Sequence, residues 1–372
     1  MIKKFLQKLF KLISYGIYFK IYGRIKNHIG CEGNSNIDVK NLDLGDNLKY
    51  KVYKVNNGRL YTDRIHDTAV ILDNSIIEGP SFQLRYTHDL KMYNSKIKDN
   101  VVFTKGTPRK LKNINNSVLS LLTGGGGNTN YWHWLFDVLP RLNLCNKYKN
   151  LSEIDFFLLP SLLKKFQNET LDYLKIPEHK RLSSEKFRHI KAKQLILTDH
   201  PVVVTGDATS DIQNIPKWIL DWLKNTFVKE NLEAKNKKKI YIDRSEAKYN
   251  APQRLISNEN EIKEYLLNKD FVPIKLGDTK FDEQVEIFNK ADCIVGLHGA
   301  GFANLAFCKP ETRIVEFRSF EAGPVIENLA KKNNLNYCSI ITDAKHTNKH
   351  DFPNQQGSIE VPISNLEKVL ES

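Results

Sequence analysis

The sequence predicts an α/β protein of two domains that begins with a basic amphipathic helix. Its 372 residues exceed the size of an ordinary single domain, and a hydrophobic fraction of 41% supplies enough apolar side chains for two packed cores. From about residue 154 onwards, short runs of β-favouring residues alternate with amphipathic segments of helical periodicity. Such alternation is typical of α/β folds with parallel sheets.

The first 26 residues predict an amphipathic helix with a positively charged polar face. Its apolar face contains Ile2, Phe5, Leu6, Leu9, Leu12 and Ile13, and its basic face contains Lys3, Lys4, Lys8 and Lys11. Lysines at these positions interrupt the apolar core that a secretory signal peptide needs. We therefore expect residues 1–26 to hold the protein on the anionic, cytoplasmic face of the plasma membrane. The alternative is a helix that packs on its own protein.

Residues 27–232 are expected to form an α/β domain with a β-rich start. Predicted strands at residues 49–55 and 69–77 are rich in β-branched and aromatic residues. Four glycines at residues 124–127 then precede the aromatic segment 131–144. Further predicted elements of this domain are a strand at 154–159, a helix at 161–174, a strand at 194–198 and a helix at 216–231.

Residues 233–372 are expected to form a second domain on a doubly wound parallel sheet. The lysine-rich stretch 233–239 predicts the hinge before it. Strands are predicted at residues 239–243, 271–276, 293–297, 313–317 and 337–341, and helices at 259–267, 281–290, 303–307 and 325–332. Because ligands of such sheets bind beyond the carboxyl ends of the strands, those ends are the places to look for a site.

Those strand ends carry residues that suit an anion. Arg244 follows the first strand, the glycine-containing segment 296–301 follows a later one, and Glu316 lies on the next. Small residues between a strand and a helix let backbone N–H groups approach phosphate oxygens. The order of the glycines differs from that of dinucleotide sites, so a tight turn, a structural His298 and a surface role for Glu316 remain alternatives.

A second candidate cluster lies in the aromatic segment. His133, Asp137 and Arg141 recur every four residues and are expected on one face of a helix. Trp132 and the neighbouring aromatic side chains would partly desolvate them, which shifts proton affinities. The alternative is a structural ion pair between Asp137 and Arg141 beside a solvated His133.

Several sequence motifs are missing. There is no Asp-x-Asp pair of the kind that chelates a metal on a nucleotide diphosphate, and no P-loop, HExxH or GxSxG sequence. The five cysteines include no CxxC pair, which is typical of a reducing cytoplasm. We therefore expect neither a metal ion nor a cofactor.

Three segments in chain order resemble glycosyltransferase family 61. They are residues 130–142 (NYWHWLFDVLPRL), residues 241–244 (YIDR) with Arg254 and residues 258–262, and residues 296–304 (GLHGAGFAN) with residues 314–317 (IVEF). The resemblance implies a GT-B arrangement of two Rossmann-like domains facing a cleft, inversion at the transferred sugar and no obligatory metal. Bacterial members of the family resemble enzymes of capsule, exopolysaccharide or lipopolysaccharide synthesis, whereas eukaryotic relatives transfer xylose or N-acetylglucosamine. The basic amphipathic start favours a bacterial enzyme of this kind.

An inverting transfer needs one base for the acceptor hydroxyl and positive groups for the departing diphosphate. We expect Asp137 to be the base, oriented by His133; the alternative is His133 itself. Trp132 and Arg141 are expected on the acceptor side. The expected donor-binding residues are Arg244, Arg254, His298, Gly299, Gly301, Asn304 and Glu316. Among these, the arginines would neutralise the diphosphate and Glu316 would contact the ribose.

The expected partners are a nucleotide-sugar donor, a UDP-sugar, and a saccharide or lipid-linked saccharide acceptor. Nucleic acid is not expected, because over half of the net charge of +13 lies in residues 1–26 beside aliphatic side chains. Two other functions remain open. The glycine turn before a strand with an acidic residue suits an NAD(P)-dependent oxidoreductase, and the basic start suits a non-catalytic, membrane-associated binding protein.

Overall fold

The computed structural model describes residues 2–45, 47–63, 67–88, 91–104, 109–122, 129–229, 238–245, 254–345 and 357–371. They belong to two compact units, Met1–Asp211 and Ile212–Ser372, which we call the first and second unit. The four-glycine run and residues 233–237 of the predicted hinge lie outside the described residues.

The first unit combines one mixed sheet with a long first helix and several short ones. In the described part of this unit the helices are α1 (Ile2–Tyr22), α2 (Val101–Thr104), α3 (Tyr131–His133), α4 (Pro140–Asn146), α5 (Lys165–Tyr173) and α6 (Ala208–Ile212). The strands are β1 (Asn27–Ile29), β2 (Ile37–Asp43), β3 (Lys49–Asn56), β4 (Arg59–Thr62), β5 (Asp67–Leu72), β6 (Ser75–Ile77), β7 (Phe82–Tyr86), β8 (Met92–Asn94), β9 (Lys112–Ser120), β10 (Phe156–Leu159), β11 (Arg181–Ser183) and β12 (His189–Thr198).

Strand β12 lies at the centre of the sheet, whose order is β1-β6-β5-β4-β12-β9-β10-β11. On one side, β12, β9, β10 and β11 run parallel, as expected where helices such as α4 and α5 connect consecutive strands. On the other side, β12 pairs antiparallel with β3 and β4. The first unit is therefore a parallel α/β sheet with an antiparallel extension, rather than a wholly parallel one.

One predicted strand, residues 69–77, is divided by a tight turn. The structure has β5 and β6 there, paired antiparallel through Ile71–Ile76 and Leu72–Ser75. Asp73 and Asn74 between them have positive φ angles of 46° and 61°. Asp and Asn tolerate this left-handed conformation better than other side-chain-bearing residues, which makes a two-residue hairpin possible.

The second unit contains a parallel sheet and a small additional strand pair. Its described helices are α7 (Lys217–Phe227), α8 (Glu259–Leu267), α9 (Phe281–Lys290), α10 (Val325–Lys332) and α11 (Ile363–Glu371). Its described strands are β13 (Lys238–Asp243), β14 (Arg254–Ile256), β15 (Phe271–Lys275), β16 (Ala291–Leu297), β17 (Arg313–Ser319), β18 (Asn336–Thr342) and β19 (Gly357–Ile359). Strand β14 pairs with β19 apart from the main sheet. The helix predicted at residues 303–307 is a 3₁₀ helix over Ala300–Phe307.

The order of the main sheet is β15-β13-β16-β17-β18, and every neighbouring pair is parallel. The chain therefore begins in β13, moves to one side for β15 and returns to the other side for β16. This reversal makes the gap between the carboxyl ends of β13 and β16 the topological switch point, where open α/β sheets bind their ligands.

Helix α7 belongs to the second unit, which therefore begins earlier than the boundary predicted between residues 232 and 233. Phe227 at the end of α7 is 2% exposed and makes edge-to-face contacts with Phe281 and Phe307. Within the described residues, no helix has the length and hydropathy required to cross a bilayer.

Candidate active site

The first group of predicted site residues lies where the aromatic segment changes its helical geometry. The side chain of Asn130 accepts a hydrogen bond from the N–H of Trp132 at 2.9 Å and so begins helix α3. Residues Trp134–Val138 then form a π-helical turn, with the N–H of Leu139 bonded to the carbonyl oxygen of Trp134 at 3.0 Å. Pro140 begins α4 because proline suits the first position of a helix. Turns of this kind are frequent at functional sites.

His133 and Asp137 form a close pair beside this turn. His133 Nδ1 lies 2.6 Å from Asp137 Oδ2, and the exposed fractions of the two side chains are 19% and 6%. The second oxygen of Asp137, Oδ1, is buried and has no hydrogen-bond partner among the described residues. The imidazole is therefore the outer member of the pair, and the carboxylate is the inner one.

Within this pair the pKa of His133 is raised above its ordinary value and the pKa of Asp137 is lowered below its own. Burial by itself lowers the pKa of His133, but the charge and the hydrogen bond of Asp137 outweigh burial and raise it above its ordinary value. For Asp137, burial opposes ionisation, but His133, His200 and Arg141 together lower its pKa. An ionised carboxylate beside a proton-accepting imidazole is the arrangement that general base catalysis uses.

Arg141 and Trp132, expected on the acceptor side, are both buried. Arg141 Nε donates to the backbone oxygen of Asp137 at 3.1 Å, and its Nη1 donates to the backbone oxygen of Thr198 at 3.0 Å. No ion pair with the Asp137 carboxylate is found among the described residues, so the alternative of a structural Asp137–Arg141 pair does not describe the contact. Burial lowers the pKa of Arg141 to about 10. Trp132 is 7% exposed and packs edge-to-face on Phe136.

His200 was not predicted from the sequence. It follows the buried strand β12, and its Nε2 lies 4.0 Å from Asp137 Oδ2. Burial lowers the pKa of His200 to about 3, and its Nδ1 accepts hydrogen bonds from the backbone N–H groups of Val202 and Val203. Histidine directly after a buried strand was the available signal, but its partner Asp137 is distant in sequence.

The second group of predicted residues lies at the switch point of the parallel sheet. Arg244 follows β13, and His298 follows β16. Arg244 Nη1 and Arg254 Nη1 each donate a hydrogen bond of 2.9 Å to the backbone oxygen of His298. Burial and the neighbouring Arg244 lower the pKa of Arg254 to about 10. Two guanidinium groups that meet at one carbonyl oxygen concentrate positive charge at this point.

Gly299 provides the space that Arg244 occupies. A Cβ atom on Gly299 would lie 3.0 Å from Arg244 Nη1, and one on Gly301 would lie 2.7 Å from Cδ1 of Leu276. Asn304 is fully buried and donates to Gln284 Oε1 at 2.9 Å, so it fixes the 3₁₀ helix from inside. These three residues shape the loop after β16.

His298, Glu316 and the half-buried Tyr337 form a chain of hydrogen bonds next to the arginines. His298 Nδ1 is bonded to Glu316 Oε1, and the hydroxyl of Tyr337 donates to Glu316 Oε2. Burial lowers the pKa of His298, although Glu316 opposes this shift. Glu316 has no exposed surface, and its two carboxylate oxygens are hydrogen-bonded to His298 and Tyr337. The structure therefore shows Glu316 in contact with His298, where a contact with a ribose was expected. Tyr337 was not predicted; its only signal is its place on the strand next to Glu316.

No group of three or more His, Cys, Asp and Glu side chains that could hold a metal ion is found within the residues that the structure describes.

Comparisons with known proteins give the following similarities. The family model described as "Glycosyltransferase 61" matches residues 131–315. No curated protein matches the sequence. A solved structure that matches is the "bacterial iron-containing dodecameric glycosyltransferase TibC" from enterotoxigenic E. coli H10407, which is 12% identical, with 90% of this chain and 88% of that chain covered and a TM-score of 0.30. A TM-score of this size does not define a common fold.

The family match includes His133 and Asp137 in the first unit and Arg244, Arg254 and His298 in the second. These are the residues that the structure brings into two charged clusters. The chain is a glycosyltransferase that belongs to glycosyltransferase family 61.

Proposed function

We propose that the chain transfers a sugar, with inversion and without a metal ion, from a UDP-sugar to a saccharide or lipid-linked saccharide acceptor. The product would be part of a bacterial surface polysaccharide, as the resemblance to bacterial family members implies. The observation that carries the proposal is the convergence of Arg244 and Arg254 on the carbonyl oxygen of His298, at the switch point of a parallel sheet.

The second unit supplies the donor site. As the bond between the anomeric carbon and the diphosphate oxygen breaks, negative charge accumulates on the diphosphate. Arg244 and Arg254 offset this charge, and guanidinium groups suit phosphate because their donors form a planar fork. The backbone N–H groups after Gly299 add further donors. Together these groups stabilise the negative charge of the leaving diphosphate, which a metal ion stabilises in other transferases.

The first unit supplies the base, and its geometry favours His133 over Asp137 for this role. Asp137 Oδ2 accepts from Nδ1 of the imidazole, which leaves Nε2 as the atom that takes the proton of the acceptor hydroxyl. The acceptor oxygen attacks the anomeric carbon from the side opposite the diphosphate. Asp137 then stabilises the imidazolium that forms, as a buried carboxylate does in a catalytic triad.

Glu316 acts through His298. It accepts from Nδ1 of the imidazole and is itself held by Tyr337, so the ring has one orientation. Because these hydrogen bonds prevent the ring from rotating, the position of His298 Nε2 is fixed. We assign Glu316 and Tyr337 as positioning residues of the donor site.

The test is a panel of nucleotide sugars, with release of nucleotide diphosphate measured in the presence of EDTA and again with added Mg²⁺ or Mn²⁺. We expect a UDP-sugar to be turned over equally well in both conditions. Arg244→Gln should raise the donor KM about 10- to 100-fold, since a charge-assisted hydrogen bond contributes about 1.5–3 kcal/mol.

A matched control is Arg313→Gln. Arg313 is another half-buried arginine of the second unit, but it lies at the amino end of β17, away from the carboxyl ends of the strands, and it donates to the backbone oxygen of Leu370. Its substitution should leave the donor KM unchanged. Activity that requires added metal would contradict the metal-independent proposal. Binding of NAD(P) without turnover of any nucleotide sugar would favour the oxidoreductase alternative.

A further inference from the structure

Helix α1 exposes its apolar side chains instead of burying them. The residues concerned, which we call the apolar stripe, are Ile2, Phe5, Leu6, Leu9, Leu12, Ile13 and Ile17. Their exposed fractions range from 43% at Leu9 to 77% at Ile2. A surface helix of a globular protein normally turns such a face towards the core. In α1 the arrangement is reversed, so the stripe needs another explanation.

The opposite side of α1 makes the contacts with the first unit. Lys4, Lys8 and Lys11 are followed at the same helical spacing by three tyrosines, Tyr15, Tyr18 and Tyr22. These tyrosines hold the last two turns of the helix in place. The side chain of Tyr18 is 1% exposed, the hydroxyl of Tyr15 donates to the backbone oxygen of Phe103, and the hydroxyl of Tyr22 accepts from the N–H of Leu111 at 3.0 Å.

The tyrosine contacts also fix how the helix is rotated about its axis. Tyr18 packs with Tyr61, Ala69 and Ile76 in one hydrophobic cluster of the first unit. Rotating α1 to bury the apolar stripe would expose this tyrosine face and break its hydrogen bonds. The stripe is therefore held outwards along the whole helix.

The charge of α1 indicates what covers the stripe. The helix contains Lys3, Lys4, Lys8, Lys11 and Lys20 and no acidic residue. Pairing with α1 of a second copy would bring two helices of the same charge together, whereas an anionic lipid surface attracts each lysine. Lys20 lies in line with the stripe in the last turn, and its long stem allows the ammonium group to reach the headgroups.

We propose that α1 lies in the plane of an anionic phospholipid surface, with the apolar stripe at the boundary between headgroups and acyl chains. The tyrosine face holds the first unit on the aqueous side, and the positive charge of the lysines is attracted to the anionic surface. A helix with one apolar face and a basic polar face is suited to this position. The proposal does not depend on the transferase mechanism, because none of the residues involved belongs to either charged cluster.

The experiment is sedimentation of the full chain with vesicles of phosphatidylcholine alone and of phosphatidylcholine with phosphatidylglycerol. We expect binding to the anionic vesicles that decreases steeply with salt, because the attraction is screened. Leu6→Gln with Leu9→Gln should abolish binding. Lys4→Gln with Lys8→Gln should weaken it about 5-fold for each lysine.

A matched control replaces two apolar residues that are equally exposed elsewhere in the first unit. Leu163 and Val204 are 66% and 43% exposed, and Leu163→Gln with Val204→Gln should bind vesicles like the unchanged protein. All these side chains are exposed, so the melting temperature should not change and donor hydrolysis should persist.

Three results would overturn the proposal. One is equal binding to both vesicle types, and another is equal loss of binding in the control variant. The third is a protein that ignores vesicles but forms dimers in light scattering, with the dimer abolished by the Leu6 and Leu9 substitutions. That third outcome would assign the stripe to a second copy of the chain.

Discussion

Burial and one neighbouring carboxylate act in opposite directions on the pKa of His133. Burial alone would keep this imidazole neutral well below its ordinary pKa, but Asp137 at 2.6 Å favours the protonated form strongly enough to reverse the direction. Removing the carboxylate should therefore leave burial as the dominant influence on the pKa. The pKa of His133 without the carboxylate therefore distinguishes a base whose pKa depends on Asp137 from one whose pKa does not.

The pH dependence of turnover tests this assignment. The neutral form of His133 is the active base, so kcat/KM should rise with pH through a midpoint above about 6.5, the ordinary pKa of histidine. In Asp137→Asn the raising charge is lost, and the remaining activity, reduced about 10²–10⁴-fold, should have a lower midpoint. The measurement is kcat/KM for donor and acceptor across the neutral range.

Asp155→Asn is the control for that measurement. Asp155 is another aspartate of the first unit, and its carboxylate accepts hydrogen bonds from the N–H and the hydroxyl of Ser117. Its substitution should leave the midpoint where it is. A midpoint that stays unchanged in Asp137→Asn would show that another group titrates and that His133 is not the base.

At the scale of elements, α7 tests where one unit ends and the next begins. Phe227 is almost fully buried against Phe281 of α9 and Phe307 of the 3₁₀ helix. Phe227→Ala should lower the free energy of unfolding of the second unit by about 3–5 kcal/mol, because truncation leaves a cavity. Hydrogen exchange should become faster in α9 and in Ala300–Phe307.

Leu267→Ala is the matched control in the same unit. Leu267 ends α8 and is 55% exposed, so its truncation should change stability by no more than about 0.5 kcal/mol. If Phe227→Ala instead accelerated exchange in the first unit alone, α7 would belong there, and the boundary predicted after residue 232 would be correct.

For the molecule as a whole, two buried histidines predict how stability depends on pH. Burial lowers the pKa of His189 to about 4 and that of His200 to about 3. The unfolded chain binds protons at these residues below about pH 6.5, whereas the folded chain does not, so stability should fall as pH decreases from 6.5 towards 4. Each histidine contributes a slope of up to about 1.4 kcal/mol per pH unit.

His133 does not add to this slope. Its pKa is raised on folding, so the stability it provides is complete below about pH 6.5 and is lost only at higher pH. Urea unfolding of the first unit across the acidic range should therefore give a smaller slope for His189→Phe than for the unchanged protein. His179 is exposed, and His179→Phe should leave the slope unchanged. Equal slopes for all three proteins would contradict the prediction.

Much of the second unit was predicted correctly from local patterns. Helices α8, α9 and α10 begin and end where the apolar periodicity predicts, since each has one face buried against the sheet. The parallel strands were predicted because they are short apolar runs between those helices. Strands β14 and β19 were missed, because their pairing joins segments about a hundred residues apart and neither is stable alone.

The contacts within the two clusters could be predicted from the sequence only in part. His133 and Asp137 meet because a spacing of four residues brings side chains together on any helical turn, including the π-helical one observed. The contacts of Glu316 were not predicted, because His298 and Tyr337 reach it only when the neighbouring strands have paired. His200 escaped prediction for the same reason, since its approach to Asp137 requires β12 to be in place.

The amino-acid sequence by itself determined the family, the alternation of strands and helices, and the residues that carry charge into the two clusters. These features follow from spacing and residue type over a few neighbouring positions. Tertiary structure decided that His133 is the outer member of its pair, that Glu316 is hydrogen-bonded to His298, and that the apolar stripe of α1 faces away from the protein. Each of these depends on which distant segments exclude water from a side chain, and that is fixed only when the chain has folded.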